Sequence, residues 1–212
     1  MYVKEIWRYP AKSMAGERLH ESEVTTLGLA GDRQILVVGA NGRIVTARTH
    51  YKLLGLKAVL APDGEVSING QHWKSEPVRE MVEAIAGPGA RLTHFSGPER
   101  FDVLPLLVAT DGSIAHMGID GRRLRPNIVI GGVEGLAERD WPGRRLKIGT
   151  VILRPAKRRG RCVMTTYDPD TLKQDPNVLR NIVRELDGTM ALDTAVETEG
   201  WIREGDEVSL LP

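Results

Sequence analysis

Lys157-Arg158-Arg159-Gly160-Arg161-Cys162-Val163-Met164-Thr165-Thr166-Tyr167-Asp168-Pro169-Asp170-Thr171 contains the one cysteine of a 212-residue chain. Four cations stand just upstream of that thiol, and nearby positive charge favours its charged form, which is a nucleophile and a soft metal ligand. With no second cysteine the chain closes no internal disulfide. It cannot by itself build a disulfide scaffold, a CxxC zinc knuckle or an iron–sulfur cluster. The bland interpretation is a buried small hydrophobe, since free cysteine is among the most buried residue types. Local composition leaves both open.

Hydrophobic content of 41% and charged content of 27% are those of an ordinary globular protein, long enough for one large domain or two small ones. Lys plus Arg (29) nearly cancels Asp plus Glu (28), and a net charge of +1 argues against a bulk nucleic-acid binder. No apolar run approaches the roughly 20 residues that span a bilayer. Met1–Trp7 alternates like a strand and lacks a signal peptide's apolar core. A soluble cytoplasmic protein is expected, with neither nucleic acid nor membrane as partner.

Working outward from Cys162, the pattern is strand-rich. Tyr2–Tyr9, Glu17–Thr25, Gln34–Gly39 and Arg43–Ala47 are β-prone, and Asn41-Gly42 is a hairpin signal. Leu56–Leu60 and Glu65–Ile68 flank Pro62-Asp63-Gly64, and Asn69-Gly70 turns toward His72-Trp73. Closely spaced turns with little helix suggest a barrel or a curled sheet. Glu76–Ala86 is predicted helical, capped by Ser75, and Arg91–Phe95 is predicted as a strand. Further on, strands are expected at Leu104–Ala109, Asn127–Ile130, Arg145–Ile148, Val151–Arg154 and Cys162–Thr166. A short helix is expected near Ser113–Ile119. A second amphipathic helix covers Asn177–Leu186, with Val178, Leu179, Ile182, Val183 and Leu186 on one face and Gly188 as its stop. Met190–Thr198 and Val208–Leu211 are expected to close the chain as a hairpin. The class is mixed, strand-rich α+β, with a soft boundary near residue 96.

His20, His50, His72, His94 and His116 are scattered without metal-site spacing. There is no GxxxxGK[ST], GxGxxG or GxSxG. A Cys-His hydrolase stays open, because such partners meet in space rather than in sequence. Polar segments recur where strands end: Tyr9-Pro10-Ala11-Lys12-Ser13, Gly28-Leu29-Ala30-Gly31-Asp32-Arg33, Val45-Thr46-Ala47-Arg48 and Arg122-Arg123-Leu124-Arg125-Pro126-Asn127. Each alone reads as a turn, and Asp32-Arg33 as a surface ion pair worth about 0–1 kcal/mol. Together with Cys162 they would supply phosphate-binding cations, hydrogen bonds and one soft ligand. A large anionic cofactor holding a soft metal needs that mixture.

In that order the segments resemble the MOSC superfamily, together with its N-terminal β-barrel partner domain. The resemblance continues through Trp141-x-Gly143, Leu146-x-Ile148-Gly149, Arg161-Cys162-x-x-Thr165-Thr166-x-Asp168-Pro169-Asp170-Thr171 and Gly200-x-Ile202 with Gly205-Asp206-x-Val208. It implies a β-barrel-like MOSC fold with a few short helices: a smaller N-terminal barrel-type region at 1–96 and a MOSC domain at 97–212. Among functional relatives it suggests the mitochondrial amidoxime reducing component and the bacterial N-hydroxylated base-analogue reductases. It also implies the molybdenum cofactor, with Cys162 as metal ligand and catalytic centre. Lys12, Ser13 and Arg33 would hold the phosphate, Arg125 and Asn127 would contact the pterin, Arg161 would lie beside the metal, and Arg48 is a further candidate. Pyridoxal phosphate binding is a lesser association.

The resemblance thus implies a reductase of small N-hydroxylated or N-oxide substrates. Some relatives carry a fused ferredoxin domain, whereas this chain ends at Pro212. An external electron donor, ferredoxin-like or cytochrome b5-like, is therefore expected. Departures from the family pattern fall at Gly160, where a small polar residue or cysteine is common, and at Pro142-Gly143. Two alternatives remain: a module carrying persulfide sulfur on Cys162 for metal–sulfur assembly, and a structural protein with an inert thiol.

Overall fold

β-Branched runs punctuated by Asn-Gly and Asp-Gly become strands, as their alternation requires. The computed structural model describes residues 1–211; Pro212, the expected end of the second unit, lies outside them. The first half comprises β1 (Tyr2–Arg8), β2 (Glu17–Leu19), β3 (Glu21–Thr25), β4 (Gly28–Leu29), β5 (Ile35–Val38), β6 (Ile44–Val45), β7 (Ala58–Leu60), β8 (Val66–Ile68), β9 (Gln71–His72), α1 (Glu76–Ala86) and β10 (Arg91–His94). The second comprises β11 (Leu106–Thr110), α2 (Asp111–Met117), β12 (Ile128–Gly131), β13 (Arg145–Ile148), β14 (Val151–Gly160), α3 (Pro176–Leu186), β15 (Thr189–Thr198), β16 (Gly200–Arg203) and β17 (Val208–Leu211).

Eight strands form one sheet in the order β17-β13-β14-β15-β11-β12-β1-β2, and three small sheets pack around it: β10-β5-β6, β16-β3-β4 and β7-β8-β9. The strand order does not close on itself, so the expected barrel is an open curled sheet among the described residues. Both Asn-Gly hairpins form. Val37 pairs with Val45 across the first and Ile68 with Gln71 across the second. Asn69 and Gly70 both take positive φ, which is the tight-turn geometry that suits the strand twist.

β1 enters the large sheet between β12 and β2, so the N-terminal strand belongs to the core of the second half. One apolar cluster joins Val3 and Ile6 of β1 to Leu106, Ile128, Leu146 and Leu192. A second fills the N-terminal region around Met14, Ile35, Leu53, Val78 and Val82. A third docks α3 on the sheet through Val178, Ile182 and Leu186. Asp175 caps α3 by accepting the Asn177 amide at 3.0 Å.

The structure corrects several local expectations. Glu17–Thr25 breaks at His20, and its two halves serve different sheets. β17 pairs with β13 rather than β15, so the chain does not end in a hairpin. Ser75 makes no capping bond, and its hydroxyl is buried without a partner. Val183 is exposed, outside the packed stripe of α3. Residues Cys162–Thr166 are not a strand, for a reason that matters to the site.

Gly28 couples β4 to the start of β11. Its φ is +85°, and a Cβ there would lie 2.8 Å from the Pro105 carbonyl oxygen. Gly28→Ala is expected to cost about 1–3 kcal/mol, because both the left-handed backbone and the close approach exclude a side chain. A urea denaturation midpoint equal to that of the unaltered chain would refute this.

Candidate functional site

β14 delivers the cysteine. Pro155 donates no backbone N–H, and the β14–β15 ladder slips beside it, between Pro155 and Lys157, and again between Arg158 and Gly160. These bulges re-aim the basic run. Lys157 and Arg158 are left exposed, while Arg159 and Arg161 are drawn partly inside. Past Gly160 the chain leaves the ladder. Val163–Thr166 then winds into a 3₁₀ turn, with Cys162 extended at its N-terminal edge.

The threonines cause that turn. Thr165 donates its hydroxyl to the Cys162 carbonyl at 2.8 Å, and Thr166 donates its own to the Val163 carbonyl at 2.7 Å. Local bonds of this kind compete with a β ladder and win here. Asp168 continues the clamp, accepting the Thr171 amide and hydroxyl at 2.9 Å and Arg123 at 3.0 Å. Tyr167 stacks on Tyr51 with ring centroids 4.6 Å apart, tying the loop to the N-terminal region. The Thr-Thr-x-Asp motif is therefore scaffolding that fixes where the sulfur points.

Cys162 lines a cavity of about 120 Å³ at the junction of the two halves. Six basic side chains share its wall (Lys12, Arg33, Arg48, Arg125, Arg159 and Arg161) against two carboxylates, Asp102 and Asp193. A larger cavity of about 700 Å³ lies alongside, and Arg125 and Met164 line both. Trp7, Tyr9 and Tyr167 give the larger one an aromatic wall. No histidine lines the first cavity, so the geometry does not furnish the base of a Cys-His hydrolase there.

Each cation is held differently. Arg33 pairs with Asp32 and donates to Asn127 Oδ1 at 3.1 Å. Asp32 is fully buried and accepts the Tyr9 amide at 2.8 Å, so this pair is an internal strut rather than a surface ion pair. The Arg125 guanidinium lies over the Tyr9 ring at 4.3 Å, with one terminal nitrogen lacking any hydrogen-bond partner. Arg161 donates to the Leu124 carbonyl at 2.8 Å, and its Nε is likewise unpartnered. Burial draws both guanidinium groups down to about 10, opposed by Tyr9 for Arg125 and by Cys162 for Arg161. Burial pushes the Tyr9 phenol up to about 12, against the pull of Arg125 and Arg33. Partly desolvated cations with free N–H groups are stabilised by an incoming anion that accepts hydrogen bonds.

All eight residues singled out from the sequence line this one cavity. Their duties differ. Ser13 accepts the Ala47 amide at 3.0 Å, leaving its hydroxyl proton to donate. Asn127 is fully buried and spends its amide on Arg33, Leu107 and Trp7, so it cross-links the wall. Arg48 is half-exposed and pairs with Asp102 at 2.6 Å. Sequence reasoning missed Asp102, Arg159 and Asp193. Arg159 lies at the end of β14, two residues before Arg161 in the same basic run, and that spacing was its only signal. Asp102 and Asp193 had no local signal.

Among the described residues no group of three or more His, Cys, Asp or Glu side chains is arranged to hold a metal ion. Cys162 could therefore ligate a metal only if that metal arrived with other donors. A soft sulfur donor beside unpartnered cationic N–H groups fits a soft metal carried on an anionic organic ligand.

A family model of the MOSC N-terminal beta barrel domain matches residues 1–96, and a model of the MOSC domain matches residues 108–209. Human mitochondrial amidoxime-reducing component 1 is 27% identical, over 99% of this chain and 82% of the relative. Human mitochondrial amidoxime reducing component 2 is 25% identical, over 97% and 82%. The crystal structure of the YuaD protein from Bacillus subtilis shares the fold, with a TM-score of 0.54 at 15% identity, covering 99% of this chain and 94% of that one. No helix among the described residues is long and apolar enough to cross a membrane.

Proposed function

Because the chain belongs to the MOSC family, we propose that it is a molybdenum-cofactor reductase that removes oxygen from N-hydroxylated or N-oxide substrates. One observation carries this reading: the only thiol of the chain faces the same cavity as six basic side chains, two of which keep unpartnered N–H groups. The names of the amidoxime-reducing relatives point to the N-hydroxylated part of that substrate class.

When bound, the cofactor supplies the two-electron oxygen-atom chemistry. The chain's own residues do the rest. Cys162 is the protein ligand to the metal, held still by the Thr165 and Thr166 turn. Lys12 and the Ser13 hydroxyl take the phosphate end, with Arg33 braced behind them by Asp32. Arg125 and Arg161 donate their free N–H groups to the cofactor's polar atoms, and Arg161 keeps positive charge beside the sulfur. Asn127 acts through Arg33, as a positioning residue. The net reaction converts N–OH to N–H, consuming two electrons and two protons and releasing water. The electrons come from a separate donor protein, ferredoxin-like or cytochrome b5-like.

The test is to express the chain in a host that makes the pterin, then measure molybdenum, extracted pterin and benzamidoxime reduction with a chemical reductant. Near-stoichiometric molybdenum with turnover is the expected outcome. Protein carrying cyanide-releasable sulfur on Cys162 and little molybdenum would instead identify a sulfur-carrying module.

A further inference from the structure

One carboxylate already sits among the cations of the cavity. Asp102 lies in the loop between β10 and β11, with Oδ1 2.8 Å from Lys12 Nζ. Its Oδ2 is 2.6 Å from Arg48 and 3.1 Å from Arg159. Arg159 is anchored on its other side by Asp193 at 2.8 Å, so its guanidinium is fixed toward Asp102. The loop is latched nearby as well. Lys12 also donates to the Arg100 carbonyl at 2.8 Å, and the buried Arg100 side chain donates to the Leu27 carbonyl at 3.2 Å. Burial pulls the Asp102 carboxyl up, but Lys12, then Arg48 and Arg159, more than offset it and hold it below the usual carboxylate range.

Three cationic donors converging on one small anion is an arrangement that would equally serve a phosphate oxygen cluster. Without an anion the same three side chains would repel one another while partly desolvated. We propose that Asp102 is a built-in stand-in for the ligand's phosphate: it occupies the Lys12–Arg48–Arg159 cradle in the free chain and yields it when a phosphate monoester enters. This rests on the reading of Lys12 as the phosphate-holding residue, and it adds Arg159 and Arg48 to that role. A tethered carboxylate competes at high effective concentration but carries a single charge, whereas phosphate brings close to two. Phosphate monoesters therefore win the cradle and singly charged anions do not. Yielding it releases the loop of residues 96–105 from Lys12.

The experiment uses the cofactor-free 212-residue chain with inorganic phosphate as probe, followed by calorimetric titration at low salt. Asp102→Asn is expected to bind phosphate about tenfold more tightly than the unaltered chain, since the competing charge is gone. Equal or weaker binding would overturn the proposal, because Asp102 would then be supporting the site rather than occupying it. In the unaltered chain, phosphate should also speed amide hydrogen exchange across residues 96–105. Unchanged protection at saturating phosphate would overturn the proposal even if the variant fails to fold. Neither measurement involves metal, so the molybdenum content of the loaded protein judges the reductase reading separately.

Discussion

Replacing Cys162 with alanine is expected to abolish benzamidoxime reduction while leaving the fold intact. The side chain is only partly buried, and the turn that holds it is closed by the Cys162 backbone carbonyl, which alanine retains. Stability should therefore change little. Loss of an outer-sphere partner of a metal ligand typically costs about 10–100-fold in affinity or activity, so loss of the ligand itself should exceed about 100-fold. The comparison is turnover per mole of folded protein, with thermal unfolding as control. A variant that kept full turnover with bound molybdenum would refute the assignment of Cys162.

The largest expected effect on stability comes from Asp32→Ala. Asp32 is fully buried, accepts the Tyr9 amide at 2.8 Å and neutralises Arg33. Arg33 then reaches Asn127, and Asn127 bonds to the backbone of Leu107 and of Trp7. This chain of contacts ties the N-terminal region to β11 and β1. Removing the carboxylate leaves a desolvated guanidinium and an unpaired amide, a loss of about 3–5 kcal/mol. For a domain of this size that lowers Tm by roughly 10 °C. A loss below about 1 kcal/mol would mean that the pair behaves like an exposed one.

Much of the site was legible in the sequence because the segments that build it are strand ends, and strand ends can be found from turn chemistry. Lys12, Arg33, Arg48, Arg125 and Arg161 each follow such a break, and sheet topology brings them together. What could not be read was direction. Four cations precede Cys162 in sequence, yet the bulges beside Pro155 and Gly160 send only Arg159 and Arg161 inward. Val and Thr favour strands in general, yet Val163–Thr166 forms a 3₁₀ turn. Hydroxyl-to-carbonyl bonds of Thr165 and Thr166 overrule that preference locally. Pairing of β17 with β13 is likewise a long-range choice that no local pattern encodes. Asp102 carries no local signal, because a loop carboxylate acquires meaning only from the distant lysine and arginines that surround it.

The central claim is that the sulfur at position 162 reaches the metal. Molybdenum-edge X-ray absorption on loaded protein measures this most directly. The spectrum of the unaltered chain should contain one more sulfur neighbour than that of Cys162→Ala loaded in the same way. An identical sulfur shell in the two proteins would contradict the account.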